Sequence, residues 1–318
     1  MSGRSRYPIS LRTRRCVIAP LLLVISAGRL SGQSSGPPAE APAARPQAPS
    51  YVGAEVCRAC HQETAAAWEA TTMGRVLLRR PRNELEARAC EACHGPGEDH
   101  VRGAGDRTKI FRFGRNSPAS VAEQNTQCLQ CHESGARQHW SGSVHEGRNV
   151  ACVSCHTVMR SVSPERQLAR ETVAEVCYQC HPLRRAQAQL SAHMPVREGR
   201  VTCTDCHNPH GTATPKLLVE NSVNEVCYRC HAERRGPFLW EHAPVTENCL
   251  NCHDAHGSVN DNLLKVRVPR LCQRCHIETR HPTTPQPAAS RFAFNRGCLN
   301  CHSQIHGSNH PSGVRFHR

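Results

Sequence analysis

Ten copies of Cys-x-x-Cys-His, a composition too poor in apolar residues for an ordinary core, and weak strand signals throughout predict a mostly irregular fold of short α-helices with little or no β structure. A chain of 318 residues would normally bury one or two apolar cores. This one is 4% aromatic, has a mean hydropathy of −0.55, and carries 22 prolines and 21 glycines that break long elements. Something other than side chains must fill the interior. The motif says what: two thiols three residues apart share one face of a helical turn, where they add to the two vinyl groups of one haem, and the adjoining imidazole reaches the iron. A zinc site or a thioredoxin-like Cys-x-x-Cys would not demand a histidine directly after the second cysteine in every copy. The predicted fold class is a multihaem cytochrome c built from five dihaem repeats, with haem as the core and folding coupled to its attachment.

Taken in chain order, residues 1–30 read as a secretory signal peptide. Arg4, Arg6, Arg12, Arg14 and Arg15 precede an apolar run from Cys16 to Ala27 that is too short to span a bilayer comfortably, and cleavage is expected between Ala27 and Gly32. Cys16 does not end that run as a lipoprotein cysteine would. Residues 31–50, with Pro37, Pro38, Pro42, Pro46 and Pro49, read as a Pro/Ala-rich linker. The remainder, 51–318, is expected to be one decahaem cytochrome c domain located in the periplasm.

The motifs, numbered 1 to 10 in chain order, account for every cysteine but Cys16. The thiol pairs expected to hold ten covalently bound c-type haems are Cys57 and Cys60, Cys90 and Cys93, Cys128 and Cys131, Cys152 and Cys155, Cys177 and Cys180, Cys203 and Cys206, Cys227 and Cys230, Cys249 and Cys252, Cys272 and Cys275, and Cys298 and Cys301. The proximal iron ligands follow directly: His61, His94, His132, His156, His181, His207, His231, His253, His276 and His302.

These motifs fall into five pairs. Odd members share a lead-in, Ala54-Glu55-Val56, Ala174-Glu175-Val176 and Asn224-Glu225-Val226, which predicts short helices ending in the haem site. Even members are preceded by a loop with one candidate distal ligand and followed closely by another. His193 and His210 flank motif 6, His242 and His256 flank motif 8, and His281 and His306 flank motif 10. A histidine three residues after the proximal one does not easily bind the same iron from the other face, so it is expected to reach a neighbouring haem. The first two pairs depart from this rule. His145 stands five residues after Trp140, but the position three after His156 is Met159; Met73 stands five residues after Trp68, where a histidine is expected, and His100 follows His94. The distal candidates are therefore Met73, His100, His145, Met159, His193, His210, His242, His256, His281 and His306, ten for ten haems. Met194 is read as packing, and His139, His310 and His317 as spare imidazoles.

The formal charge of +14 points only superficially to nucleic acid. Six of the 40 basic residues (Arg4, Arg6, Arg12, Arg14, Arg15 and Arg29) lie within the first 30 positions, leaving 34 against 26 acids, a formal +8 that two propionates per haem would more than cancel. Only Lys109, Lys216 and Lys265 are lysines, and arginine is the better bidentate partner for a carboxylate, so the arginines are expected to hold propionates, with Arg79, Arg80 and Arg82 as a solvated face.

The segment from Gly236 through His242, the run Cys249-Leu-Asn-Cys-His-Asp-Ala-His256-Gly, the stretch Leu271 to His276, and Cys203-Thr-Asp-Cys-His-Asn-Pro-His210-Gly together resemble the MtrA/DmsE family of decahaem cytochromes over about residues 51–306. The resemblance implies an elongated haem chain in two pentahaem halves, about 51–190 with haems 1 to 5 and about 191–318 with haems 6 to 10. It implies bis-histidine ligation, from which Met73 and Met159 depart. It also implies an electron conduit associated with the outer membrane, partnered by a β-barrel porin, an extracellular cytochrome or metal oxide, and a periplasmic or inner-membrane electron donor or acceptor. The alternative is a soluble periplasmic carrier to a terminal reductase. A reductase of its own is the lesser reading: such enzymes keep an open iron, often at Cys-x-x-Cys-Lys, and here every motif ends in histidine.

Overall fold

Capping chemistry sets the helices. Ser120, Thr172 and Ser222 each accept a hydrogen bond from the backbone N–H three residues on, at Glu123, Glu175 and Glu225, and the first two glutamates return the bond to complete capping boxes. The helices Val121–Leu129, Val173–Tyr178 and Val223–Tyr228 that start there run into motifs 3, 5 and 7. For motif 1 the helix Ala54–Cys60 begins at Gly53, which has no side chain to cap it. The buried carboxylate of Glu91 in motif 2 instead holds the chain ahead of it, accepting from the N–H groups of Val52 and Gly53 at 3.0 and 2.8 Å and from that of Gly97 at 2.7 Å.

The computed structural model describes residues 49–277 and 297–317. Signal peptide and Cys16 lie outside them, as does nearly all of the linker. The longest described helix, Val121–Leu129, has 9 residues, and β structure among the described residues is limited to isolated bridges. The expected mostly irregular, short-helical fold is what forms. Ser50, expected in the linker, donates through both its N–H and its hydroxyl to Glu98.

Side-chain cores are small. Trp68, Leu77 and Ala89 form a buried cluster with Met73, Leu78, Ala54 and Cys90 against it, and no large described side chain is fully buried. Many buried residues are polar instead, among them Glu86, Glu91, Gln124, Asn125 and Asn224. Arg82 is solvated as expected, with its side chain 74% exposed, and from there its guanidinium reaches the buried carboxylate of Glu86 at 2.6 Å.

Candidate haem-ligation sites

After motifs 4, 6 and 8 the chain makes the same turn. Two successive residues take left-handed φ, Arg166 and Gln167, Lys216 and Leu217, Asn262 and Leu263. Each such non-glycine residue costs about 1–2 kcal/mol. The return is a fixed carbonyl: those of Arg166, Lys216 and Asn262 stand 3.0, 2.9 and 2.8 Å from Nδ1 of His156, His207 and His253. The same arrangement, with Nδ1 donating to a backbone carbonyl, holds His94 through Phe111, His100 through Asp106, His145 through Pro209, His193 through Met194 and His242 through Ile305. A proton held on Nδ1 leaves the Nε2 lone pair to bind a metal, the usual outer-shell arrangement of a metal-binding histidine.

The imidazoles then face one another in pairs. His61 stacks with His100 at 6.2 Å between ring centres, His156 with His210 at 6.0 Å, His207 with His256 at 6.2 Å, His242 with His276 at 6.2 Å and His253 with His306 at 6.3 Å, all within 26° of parallel. His145 and His181 lie 6.4 Å apart with a larger tilt of 53°. Two imidazole nitrogens each about 2 Å from a metal, plus roughly 1 Å from each nitrogen to its ring centre, give a centre-to-centre distance of about 6 Å. Direct aromatic packing would favour offset or edge-to-face contact instead. Burial, aided by neighbouring positive groups, pushes His210 and His306 down to about 4, which keeps both neutral and able to bind metal at neutral pH.

The pairs follow a register that spacing did not disclose. A histidine just after an even motif faces the motif histidine two motifs back: His210 faces that of motif 4, His256 that of motif 6 and His306 that of motif 8. A histidine just before an even motif faces the next odd one: His145 faces motif 5 and His242 motif 9. His100 turns back to motif 1. The glycines after His210, His256 and His306 make this docking sterically feasible. Gly211, Gly257 and Gly307 all have positive φ, and a Cβ there would lie 2.0 Å from the His139 carbonyl, 2.1 Å from the Gln187 carbonyl and 2.1 Å from the Phe238 ring.

Other candidates are not brought into such pairs. Met159 is 37% exposed and is followed by Arg160 rather than glycine. Met73 packs beside the Trp68 cluster. Nε2 of His193 lies 3.7 Å from Glu198. His281 lies outside the described residues. Of the spare imidazoles, His139 is exposed, His310 accepts from the Ser312 N–H at 3.1 Å, and His317 lies 4.5 Å from His302, short of the spacing across a metal.

The cysteines connect the motifs in sequence. Within each pair the first thiols lie close enough to perturb each other's ionisation: Cys57 with Cys90, Cys128 with Cys152, Cys177 with Cys203, Cys227 with Cys249 and Cys272 with Cys298. Between pairs the second thiols are near enough to interact electrostatically: Cys93 and Cys131, Cys155 and Cys180, Cys206 and Cys230, Cys252 and Cys275. The neighbouring Cys177 thiol brings Cys203 down to about 7, and Cys227 does the same for Cys249. First-thiol and second-thiol neighbours alternate along the series.

Asn224, so far only the first residue of a lead-in, and Asn125 align paired motifs. Each sits three residues before the first cysteine of an odd motif. The Asn224 carboxamide accepts from the N–H of Cys249 at 2.7 Å and donates to the carbonyls of Val245 and Thr246, and Asn125 does the same with Cys152 and Val150. Asn224→Ala leaves these buried groups unpaired and should destabilise the mature protein by about 1–3 kcal/mol, read as a lower denaturant midpoint; an unchanged midpoint would remove Asn224 from this role.

Haem fits this donor set. Paired thiols and facing imidazoles supply the attachment points, and the buried donors Trp140 Nε1, Trp240 Nε1 and Arg112 Nε have no partner among the described residues. Trp140 lies 6.5 Å from His210 between ring centres, so its N–H is available to a propionate beside that site.

Comparisons with known proteins agree with the chemistry. A family model described as a doubled CXXCH motif matches residues 193–236 and 242–281, and one described as cytochrome c-type protein NrfB-like matches 90–180. The chain is 42% identical over 275 residues to multiheme cytochrome MtrA of Shewanella baltica (strain OS185), spanning 84% of this chain and 81% of that protein. It is 34% identical over 105 residues to cytochrome c-type protein NrfB of Escherichia coli O6:H1, spanning 32% of this chain and 52% of that protein.

Proposed function

Because the chain belongs to the MtrA family of multihaem c-type cytochromes, electron carriers with covalently bound haem, we propose that its ten motifs hold ten haems in one uninterrupted series that conducts electrons from motif 1 to motif 10. The observation that carries this reading is the alternation of neighbouring first and second cysteines along the whole series, together with the facing histidine pairs. Haem iron supplies the one-electron chemistry. The protein holds neighbouring sites together, supplies neutral imidazoles and sets each potential through ligand, burial and charge. The facing histidine pairs are axial pairs in this reading, and the same register gives His193 to motif 7.

The chain is exported to the periplasm and works as an outer-membrane conduit. A backbone this irregular crosses a bilayer only inside a closed barrel that satisfies its own polar groups, so a β-barrel porin is the partner, with an extracellular cytochrome or metal oxide beyond it and a periplasmic or inner-membrane partner behind. No substrate is converted. The test uses phosphatidylcholine liposomes that enclose reduced methyl viologen and carry the mature protein with an outer-membrane β-barrel porin from the same organism. Oxidation of the viologen by external ferric citrate only when both proteins are present supports the conduit. Failure to bind the porin, with no transfer across the bilayer, overturns it in favour of soluble carriage to a reductase.

A further inference from the structure

We propose that Met73 is the axial ligand opposite His132, which makes the haem of motif 3 a His/Met centre beside the facing His156–His210 pair of motif 4; this rests on the haem-series reading above.

Met73 occupies the structural place of His145. Trp68 and Trp140 are buried to a similar degree, 6% and 7% exposed. Three residues on, the backbone N–H of Thr71 returns to the Trp68 carbonyl at 2.8 Å, as that of Ser143 returns to Trp140 at 2.9 Å. Both hydroxyls then cap a helix, Thr71 accepting from Gly74 N–H and Ser143 from Glu146 N–H. Met73 and His145 are each the second residue of that helix. His145 lies before motif 4 and faces motif 5; His242 lies before motif 8 and faces motif 9. By that register Met73, before motif 2, falls to motif 3.

Two further observations agree. The helix Thr72–Arg79 leads directly to Arg82, whose charge is felt at both Cys131 and His132, so this segment passes beside motif 3. No described imidazole is stacked opposite His132. The outer shell differs in the way a thioether requires. His145 and His242 donate to the carbonyls of Pro209 and Ile305, the residues immediately before His210 and His306, and Gly211 and Gly307 let those segments dock closely. Methionine has no N–H to give. The corresponding downstream segment, Val158-Met159-Arg160, has neither the histidine nor the glycine, and Met159 is exposed.

A thioether in place of imidazole favours the ferrous state and raises the potential, so in a partly reduced protein the electron should rest preferentially at motif 3. The test is near-infrared magnetic circular dichroism and redox titration of the mature, haem-loaded protein. Wild type should show a sulfur-to-iron charge-transfer band, unchanged in Met159→Leu. Met73→His should lose the band, stay low-spin and lower the highest midpoint. Met73→Leu should lose it too and yield one high-spin haem that binds carbon monoxide. If Met73→Leu fails to accumulate, Met73→His decides. An all-low-spin wild type without the band, a band that survives either Met73 variant, or one lost in Met159→Leu overturns the proposal. Haem count by mass spectrometry, read on the same samples, tests the haem-series reading separately.

Discussion

Gly211→Ala will pull His210 away from His156, the motif 4 histidine it faces. The glycine has φ of +111° and no room for a side chain: a Cβ would sit 2.0 Å from the carbonyl oxygen of His139 and 2.6 Å from its carbon. Both are backbone atoms, and they cannot swing aside as a side-chain tip would. His139 is held by its neighbours in turn, because Asn208 donates to the Ala136 carbonyl at 2.7 Å and Trp140 is buried one residue on. The cheapest relief is therefore for the segment carrying His210 to lift away. That breaks the 6.0 Å pairing with His156 and pulls the Pro209 carbonyl from His145, the imidazole facing motif 5. The expected cost is on the order of 3 kcal/mol, with one or two haems converted to a high-spin, carbon monoxide-binding form. Gly114→Ala is the control. Its φ of +101° is similar, but a Cβ there meets nothing within 4 Å. It should retain the all-low-spin count of its parent at motif 4. If both variants behave alike, the docking argument fails.

The attachment chemistry was legible in the chain because each motif is complete in five residues, and vinyl addition with iron ligation leaves no freedom in the spacing. The pairing of motifs was legible from the repeated lead-ins, whose Glu175 and Glu225 are also the residues that meet the caps Thr172 and Ser222. The destination of each distal histidine was not. His210 was expected to reach a neighbouring site, and it reaches the histidine two motifs back because the chain folds each even segment against the one before it, with the Asn208 side chain on Ala136 and Gly211 on His139. Such docking depends on backbone carbonyls, and a carbonyl has no sequence identity. The acceptors Arg166, Lys216 and Asn262 share no side-chain chemistry; what they share is a left-handed pair followed by Leu168, Leu218 and Leu264, each bridged to the proximal histidine. The leucine pattern could have found these turns. Asn125 and Asn224 left a fainter signal, an asparagine three residues before a motif in only two of five pairs.

Without covalently attached haem, the chain will have no cooperative fold. The described side-chain core is a single small cluster of Trp68, Leu77 and Ala89, and no large side chain is fully excluded from water. Ordering each residue costs about 1–2 kcal/mol of backbone entropy, and so little apolar burial cannot offset that across the domain. The helices cannot do so alone, since isolated helices shorter than about 12 residues are marginal in water, and the longest described here has 9. What remains is the polar framework: Nδ1 bonds to carbonyls, the Asn224 clamp and the Glu91 carboxylate. These groups are directional and add little net stability when water competes for them. The facing imidazoles would have nothing to hold them at 6.0–6.4 Å. Expression of the same chain without the haem-attachment machinery, with thiols kept reduced, should give a protein that is cleaved rapidly by protease and shows no sigmoidal unfolding by circular dichroism. The mature protein should resist both treatments. A protease-resistant, cooperatively melting haem-free form would mean that the polypeptide carries a core of its own.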